Sequence, residues 1–535
     1  MKKTVIAVLF GLLLVSLLFV GCNKQATGGS AQQSAAAGME MVVGNGAEPM
    51  SIDPSQVNGV PEHRLYLAFF EGLVRYDPKT ANVIPGVAES WTFSNNNTVI
   101  TFKLRQGVQW SDGTAITAQQ IVESWLHHLD PNTASPYAYM MGQVVKGADD
   151  YNTKGGRRQD VAIRAVDAST FEVTLTGPVS YVPDVMAHYA FSPLPMHAIQ
   201  KNGSAWTRPG NIVCNGPFIL SEWVPNSHIT GIPNDKYWDK ANVHLTKITF
   251  LPVDDTNTAY QQFNNGETDW STSVPLALID QVKLRKEYQV SPQLGTYYYY
   301  INLRDHAALR DARVRKALSM AFNRDELINN VVKGGQIPAY SFSPPMGDYK
   351  PSMGPGFNVT EAKRLLAEAG FPDGRGFPTF SILYNTNDSH RIIAEYIQQA
   401  WRNNLGINVT LRNSEWATYL EERHTPTMEI CRAGWIADYM DPGNFLEIII
   451  TESENNAGHY SNPEYDRLVR QAAAMQNGPE RYRILNQAEE IAIVRDQAIM
   501  PIYYYVSQNM IDLDKWDGWY QNALDTHPYV GIKRK

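Results

Sequence analysis

Cysteine is scarce in this chain: Cys22, Cys214 and Cys431 are the only three in 535 residues. That excludes a disulfide scaffold and a multi-cysteine zinc site. Cys214 and Cys431 are far apart in sequence, and three states are open to them: buried free thiols, a catalytic thiol, or a disulfide in an oxidising compartment. Positive charge is not in surplus either. Lys and Arg number 46 against 54 Asp and Glu, a formal charge of −8, so nucleic acid is not an expected partner. Catalytic signatures are missing too: there is no Gly-x-Gly-x-x-Gly after a strand, no phosphate loop, no Gly-x-Ser-x-Gly elbow and no His-Glu-x-x-His. The twelve histidines are scattered, and only His127 and His128 adjoin. Helical neighbours diverge by about 100°, so that pair reads as one half-buried and one solvated ring, not a chelate. No catalytic residue, metal or cofactor is expected.

Long apolar runs are confined to the N-terminus. Lys2 and Lys3 precede an apolar stretch from Val5 to Val20, which ends at Gly21-Cys22. This resembles a bacterial lipoprotein signal, cut before Cys22, whose thiol then carries the lipid. Phe19 replaces the usual Leu three positions before the cysteine. The alternative is a transmembrane anchor, but the run falls short of the ~20 residues needed to span a bilayer. Residues 23–38, rich in Ala, Gly, Ser and Gln, are expected to be a flexible tether. Beyond it, 43% hydrophobic and 11% aromatic residues can fill sizeable cores, and the length suggests a few large lobes.

Short strands and short amphipathic helices alternate throughout. In Thr98–Arg105, apolar Ile100, Phe102 and Leu104 interleave with polar neighbours, the pattern of a half-buried strand. Thr117 and Gln120 form a capping box, followed by Ile121, Val122, Trp125, Leu126 and Leu129 on one helical face. Strands are also expected at Thr170–Leu175, Lys247–Leu251 and Tyr297–Asn302. Helices are expected at Asp311–Val332, at Thr360–Ala369 ending on Gly370, and at His390–Asn404. No fixed-period repeat is present, and the class is mixed α/β.

Two blocks are distinctive: Pro85-Gly86-Val87-Ala88-Glu89-Ser90-Trp91, and the run from Ile100-Thr101-Phe102-Lys103-Leu104-Arg105 to Trp110-Ser111-Asp112-Gly113. Gly216-Pro217-Phe218, Asn234–Asp239, Phe263–Asp269 and Asp311–Ala317 follow in order. The chain thereby resembles the peptide/nickel/opine family of extracellular solute-binding proteins, family 5, from about Val43 to the C-terminus. Asn132–Ala138, Leu383–Thr386, Arg432-Ala433-Gly434-Trp435-Ile436-Ala437-Asp438-Tyr439 and Tyr503–Tyr505 narrow the likeness to its oligopeptide-binding members. The resemblance implies a two-lobed periplasmic-binding-protein clamshell, type II and cluster C like, built from three structural regions. The expected divisions are signal peptide 1–21 and linker 22–38; lobe 1 core 39–71, 196–294 and 506–535; an extra domain of lobe 1, 72–195; and lobe 2, 295–505.

A receptor for varied peptides must hold what is constant in them: ammonium, carboxylate and main chain. By its place in the motif, Asp438 is the expected ammonium anchor, its other possible role being to cap a turn before Asp441-Pro442. Ala433, Gly434, Trp435 and Ile436 would offer an extended edge to the ligand backbone, with Gly434 permitting close approach. Trp435, Tyr137, Tyr298 and Tyr505 are wall residues in this reading, or ordinary core aromatics. Arg432, Arg423 and His390 lie in segments matching the far end of the family's site, where cations at different distances from Asp438 would accept different peptide lengths. His390 would serve as a cation or as a neutral donor. Asn58 and Val60 complete the set; Asn58 stands where relatives often carry an acid, which would favour shorter or less basic peptides.

The function implied is an extracytoplasmic lipoprotein, at the outer face of the cytoplasmic membrane or in the periplasm, delivering short peptides to an ABC importer. Its partners would be peptides, the permease subunits and, through its lipid, the membrane, with the protein itself a monomer. Rival readings are a receptor for cell-wall or signalling peptides, a surface adhesin or chaperone, and a hydrolase.

Overall fold

The run Tyr297-Tyr298-Tyr299-Tyr300 lies at the centre of the largest sheet, and its alternation builds both sides of the molecule. All four rings are fully buried. Tyr297 and Tyr299 enter one core with Val314, Leu318, Ile397 and Trp401, while Tyr298 and Tyr300 enter the other with Phe342, Ala433 and Trp435. Successive strand residues point to opposite faces, so a run buried throughout marks a strand covered on both sides.

The computed structural model describes residues 39–179 and 181–535; the expected leader and tether, with Cys22, lie outside the described residues. Eleven strands make the main sheet, ordered Val409–Ser414, Phe380–Asn385, Ile430–Ile436, Tyr288–Ile301, Ile499–Ile511, Trp270–Ser271, Glu40–Gly44, Lys247–Leu251, His228–Pro233 and Phe218–Val224, with Ile337–Pro338 added on Ile499–Ile511. The two halves of this sheet join through the long antiparallel pair Tyr288–Ile301 and Ile499–Ile511. Their register breaks between Pro292 and Thr296 and again between Tyr297 and Tyr298. A separate four-stranded antiparallel sheet is ordered Ala88–Ser94, Val99–Leu104, Thr170–Thr174, Ile163–Asp167. No described helix is long and apolar enough to cross a membrane.

Most expected elements are present with small shifts. The helix after Thr117 spans Ala118–His128 and buries Ile121, Val122, Trp125 and Leu126, with Leu129 buried at its C-cap. Only half of its capping box forms: Thr117 accepts from the Gln120 N–H, while the Gln120 side chain accepts from the Trp110 indole at 3.2 Å. His128 is wholly buried and His127 half-buried, so neither ring is solvated as expected. The helix expected over 311–332 is broken. Ala312–Met320 ends, and Asn323 caps a new turn by accepting from the N–H groups of Asp325 and Glu326. The break sends Arg324 inward, where its guanidinium donates to the Pro501 carbonyl at 2.7 and 2.9 Å. The strand expected at Tyr297–Asn302 begins nine residues earlier, at Tyr288. Cys214 and Cys431 are free and buried, and burial pushes both thiols up to about 12, which removes the disulfide and makes a thiolate nucleophile untenable.

Candidate ligand-binding site

The Ile430–Ile436 strand pairs along its whole length with Tyr288–Ile301 on one side. On the other side, Phe380–Asn385 reaches only Ile430 and Cys431. From Arg432 onward that edge has no described strand partner, and it borders a cavity of about 300 Å³. Arg432, Gly434, Trp435, Ile436, Ala437 and Asp438 all line it. Ala433 alone of this run does not, because its methyl is buried in the core. An unpaired strand edge inside a cavity supplies backbone donors and acceptors to an extended ligand.

Asp438 lies just beyond the strand, on a segment fixed by a buried amide. The Asn444 side-chain oxygen accepts from both the Asp438 N–H, at 2.9 Å, and the Trp435 indole N–H, at 3.0 Å. The Asn444 amide in turn donates to Glu447 at 3.0 Å, and the Tyr439 hydroxyl donates to the same carboxyl at 2.9 Å. Burial pushes Glu447 up to about 8. One residue therefore orients both the aromatic wall and the carboxylate. Tyr76, from a distant part of the chain, donates to the Asp438 carbonyl at 2.6 Å.

The Asp438 carboxylate faces the cavity without a hydrogen-bond donor on Oδ2, which is buried. Oδ1 lies 3.3 Å from His188 Nε2, out of line for a hydrogen bond. Nδ1 of His188 accepts the Ala190 N–H at 3.2 Å, so the ring proton sits on Nε2, towards Asp438. Tyr137 stacks 6.1 Å from Trp435 and lies tilted 4.5 Å from His188, closing this end with aromatic surface. A buried acceptor with no donor, beside aromatic walls, has the chemistry to take a cationic donor.

Three guanidiniums also line the cavity. Arg432 donates to the Asn385 side-chain oxygen at 3.1 Å and the Tyr505 hydroxyl at 2.8 Å, and lies 4.9 Å over the Tyr297 ring. Arg423 donates to His424 at 3.1 Å and leaves Nη2 buried without a partner. Arg64 donates to the Asn45 carbonyl at 3.1 Å. All three meet neutral acceptors and no carboxylate. Asn58, Val60, Tyr298 and Tyr505 also line this cavity. His390 does not: it lines an adjoining cavity of about 250 Å³, shared with Arg64, Arg432 and Tyr505, where its Nδ1 lies 3.3 Å from the Tyr297 hydroxyl. Burial, reinforced by Arg432, holds His390 well below the usual imidazole range, so it is a neutral ring there. Among the described residues no cluster of His, Cys, Asp or Glu is placed to hold a metal.

Gly434 lines the cavity and packs closely on its neighbours. A Cβ there would fall on the Tyr505 hydroxyl and lie 3.1 Å from the Arg432 guanidinium, so the space left by the glycine is filled by that pair. Reading the sequence missed His63, Arg64, Tyr76, His188 and Asn444. For His63 and Arg64 a signal existed: they stand three and four residues after Val60 on the helix Val60–Phe69, hence on its cavity-facing side. Burial and the neighbouring His188 push His63 down to about 4. Tyr76, His188 and Asn444 sit in segments with no local pattern to mark them.

The family model described as "bacterial extracellular solute-binding proteins, family 5 Middle" matches residues 82–457. The chain is 39% identical over 491 residues to the periplasmic oligopeptide-binding protein OppA of Salmonella typhimurium, covering 90% of this chain and 89% of that one. It superposes with TM-score 0.89 at 36% identity on a periplasmic oligopeptide-binding protein (OppAIV) from Borrelia burgdorferi, covering 93% and 100% of the two chains. The murein tripeptide-binding protein MppA matches at 33% identity in two structures, one from Escherichia coli and one an unliganded open form, each over at least 93% of this chain and 98% of its own. The TM-score is 0.88 for one and 0.62 for the unliganded open form. The fold is thus the two-lobed mixed α/β clamshell of these neighbours, in a conformation unlike the open one. On the family match and on relatives aligned over nine-tenths of its length, the chain belongs to the bacterial extracellular solute-binding proteins of family 5, which bind and do not catalyse.

Proposed function

We propose that this chain captures short peptides outside the cytoplasm, by their main chain and termini, and delivers them to the permease of an ABC importer. The observation that carries the reading is the buried, donor-less Asp438 oxygen in one cavity with guanidiniums that meet no carboxylate, along an unpaired strand edge. The ligand ammonium goes to Asp438, its main chain to the edge at Arg432–Ile436, and its carboxylate to Arg432 or Arg423. His390, as a neutral donor, serves longer ligands. Trp435, Tyr137, Tyr298 and Tyr505 wall the side chains, and wet space around them tolerates variety. At about 3.3 Å per residue, the four steps from Arg432 to Ile436 span roughly 13 Å, the scale of a ligand a few residues long. The lobes in this reading are 39–71, 196–294 and 506–535 with the added 72–195 domain, against 295–505. They hinge where the two long strands lose register. A lipid on Cys22 keeps the monomeric receptor beside the membrane that holds its permease.

Calorimetry on the folded body, unfolded and refolded to strip bound ligand, tests the reading. Trialanine is expected to bind and N-acetyl-trialanine to lose binding, with Asp438→Ala weakening trialanine at least tenfold, about 1.4 kcal/mol. Equal binding of the acetylated peptide, or unchanged affinity in the variant, removes Asp438 from the anchor role.

A further inference from the structure

Thr256, Gln293 and Gln336 all line the adjoining cavity of about 250 Å³, and they are only 3%, 7% and 8% exposed. Thr256 Oγ1, Gln293 Nε2 and Gln336 Oε1 have no hydrogen-bond partner among the described residues. The three come from separate parts of the chain. Thr256 opens the helix Thr256–Asn264, whose cap is supplied by Asp255. Gln293 stands in the register break between Pro292 and Thr296, where the ladder to Ile499–Ile511 is interrupted. Gln336 precedes the short strand Ile337–Pro338, and its own Nε2 is spent on Gln508 at 3.4 Å. A buried polar atom left alone is costly, so three converging on one cavity describe the complement that cavity takes.

That complement is specific. Gln293 Nε2 is a donor, Gln336 Oε1 an acceptor, and the Thr256 hydroxyl serves as either. A carboxamide carries an NH2 group and a carbonyl side by side, and so answers all three. A carboxylate has no hydrogen for Gln336, an ammonium no acceptor for Gln293, and a thioether or alkyl chain neither. The charged groups at the edge of the cavity do not change this. Arg432 is spent on Asn385 and Tyr505, Arg64 has the charge of Asp525 beside it, and His390 is neutral. Gln293 lines the main cavity as well, so it stands at the junction that a ligand side chain passes on leaving the main cavity.

Resting on the peptide-receptor reading, we propose that the adjoining cavity is a subsite for a side-chain carboxamide, with Gln293 and Gln336 as its specificity-determining residues. The preferred class is then short peptides carrying one glutamine or asparagine. Discrimination comes from the buried donor and acceptor that any other side chain leaves unpaired.

Side chains of matched size test this directly. Gln, Met and Glu are placed in turn at each position of trialanine, and affinities are measured by calorimetry at fixed salt. At one position at least, Gln is expected to bind tenfold or more tighter than Met, and tighter than Glu. The Gln-to-Met ratio should fall below threefold in Gln293→Met and in Gln336→Met, whatever either variant does to the Met peptide itself. Thermal unfolding checks that the variants fold, and the wild-type ratios decide should neither do so. Ratios below threefold at every position in the wild type, the result if water alone meets these atoms, overturn the proposal. So does Glu bound more tightly than Gln at the selective position, or a preference undiminished in the folded variants. Each of these leaves the peptide reading intact, whereas failure of every peptide to bind overturns both.

Discussion

Gly434 and Tyr505 illustrate how little room the candidate site leaves for a single methyl group. The strand is extended at Gly434, so an alanine there costs nothing in backbone strain; its Cβ simply takes the place of the Tyr505 hydroxyl. That hydroxyl is one of the two acceptors that aim Arg432. Gly434→Ala is therefore expected to leave the melting temperature within a few degrees while weakening trialanine several-fold. Tyr505→Phe, which also removes the acceptor, should mimic it. Calorimetry and thermal unfolding of the two variants check this, and an affinity equal to wild type in both would show that Arg432 needs no such aiming.

At the scale of elements, the segment after the Ile430–Ile436 strand is organised by buried polar groups rather than by regular structure. Asn444 and Glu447 hold the Asp438 backbone, and the Arg481 guanidinium grips Asp441 bidentately at 2.6 and 2.8 Å just behind it. Glu447 titrates at about 8 and the equally buried Glu489 at about 7, both raised by burial from an ordinary value of 4.5. The folded protein therefore holds these two protons more tightly than the unfolded chain does. The stability they contribute is complete below about pH 4.5 and is lost as pH rises through 7 to 8, at up to about 1.4 kcal/mol per unit for each group. Urea unfolding between pH 5 and 9 should show this decline, and Glu447→Gln should flatten part of it. A slope unchanged in the variant would place the proton elsewhere.

Where the sequence was legible, and where it was not, follows from the same contrast. Strand Lys247–Leu251 and the helix opened by Thr117 were visible because their patterns are local. The break at Asn323 was not, because it exists to deliver Arg324 to Pro501, 177 residues away in sequence. In the candidate site, Asp438 and Arg432 could be named from one continuous motif. Asn444 could not, since its role depends on a loop bringing it back under Trp435. Tyr76 and His188 meet Asp438 from segments more than 200 residues upstream.

On the scale of the whole molecule, remote segments share one apolar core, with Tyr181 stacked on Tyr439 and Tyr137 on Trp435, and polar contacts add to it. The Trp416 indole donates to Glu62 at 3.1 Å, Tyr76 to the Asp438 carbonyl at 2.6 Å, and Tyr181 to the Ala473 carbonyl at 2.9 Å. On the proposed reading, a ligand that touches both lobes shifts a two-state equilibrium towards the closed form. Small-angle scattering should show the radius of gyration of the stripped protein fall on adding trialanine. Tyr76→Phe should need more peptide to reach the same value, and a radius indifferent to peptide would exclude closure on binding.

The centre of the main sheet is supplied by Ile499–Ile511, close to the end of a 535-residue chain, and this strand joins both halves. A polypeptide made from its N-terminus cannot complete either half until nearly all of it has been synthesised. Non-local pairing of this kind is intrinsically slow to form. Both halves therefore gain their shared seam in one late step, and neither is expected to fold as a separate unit.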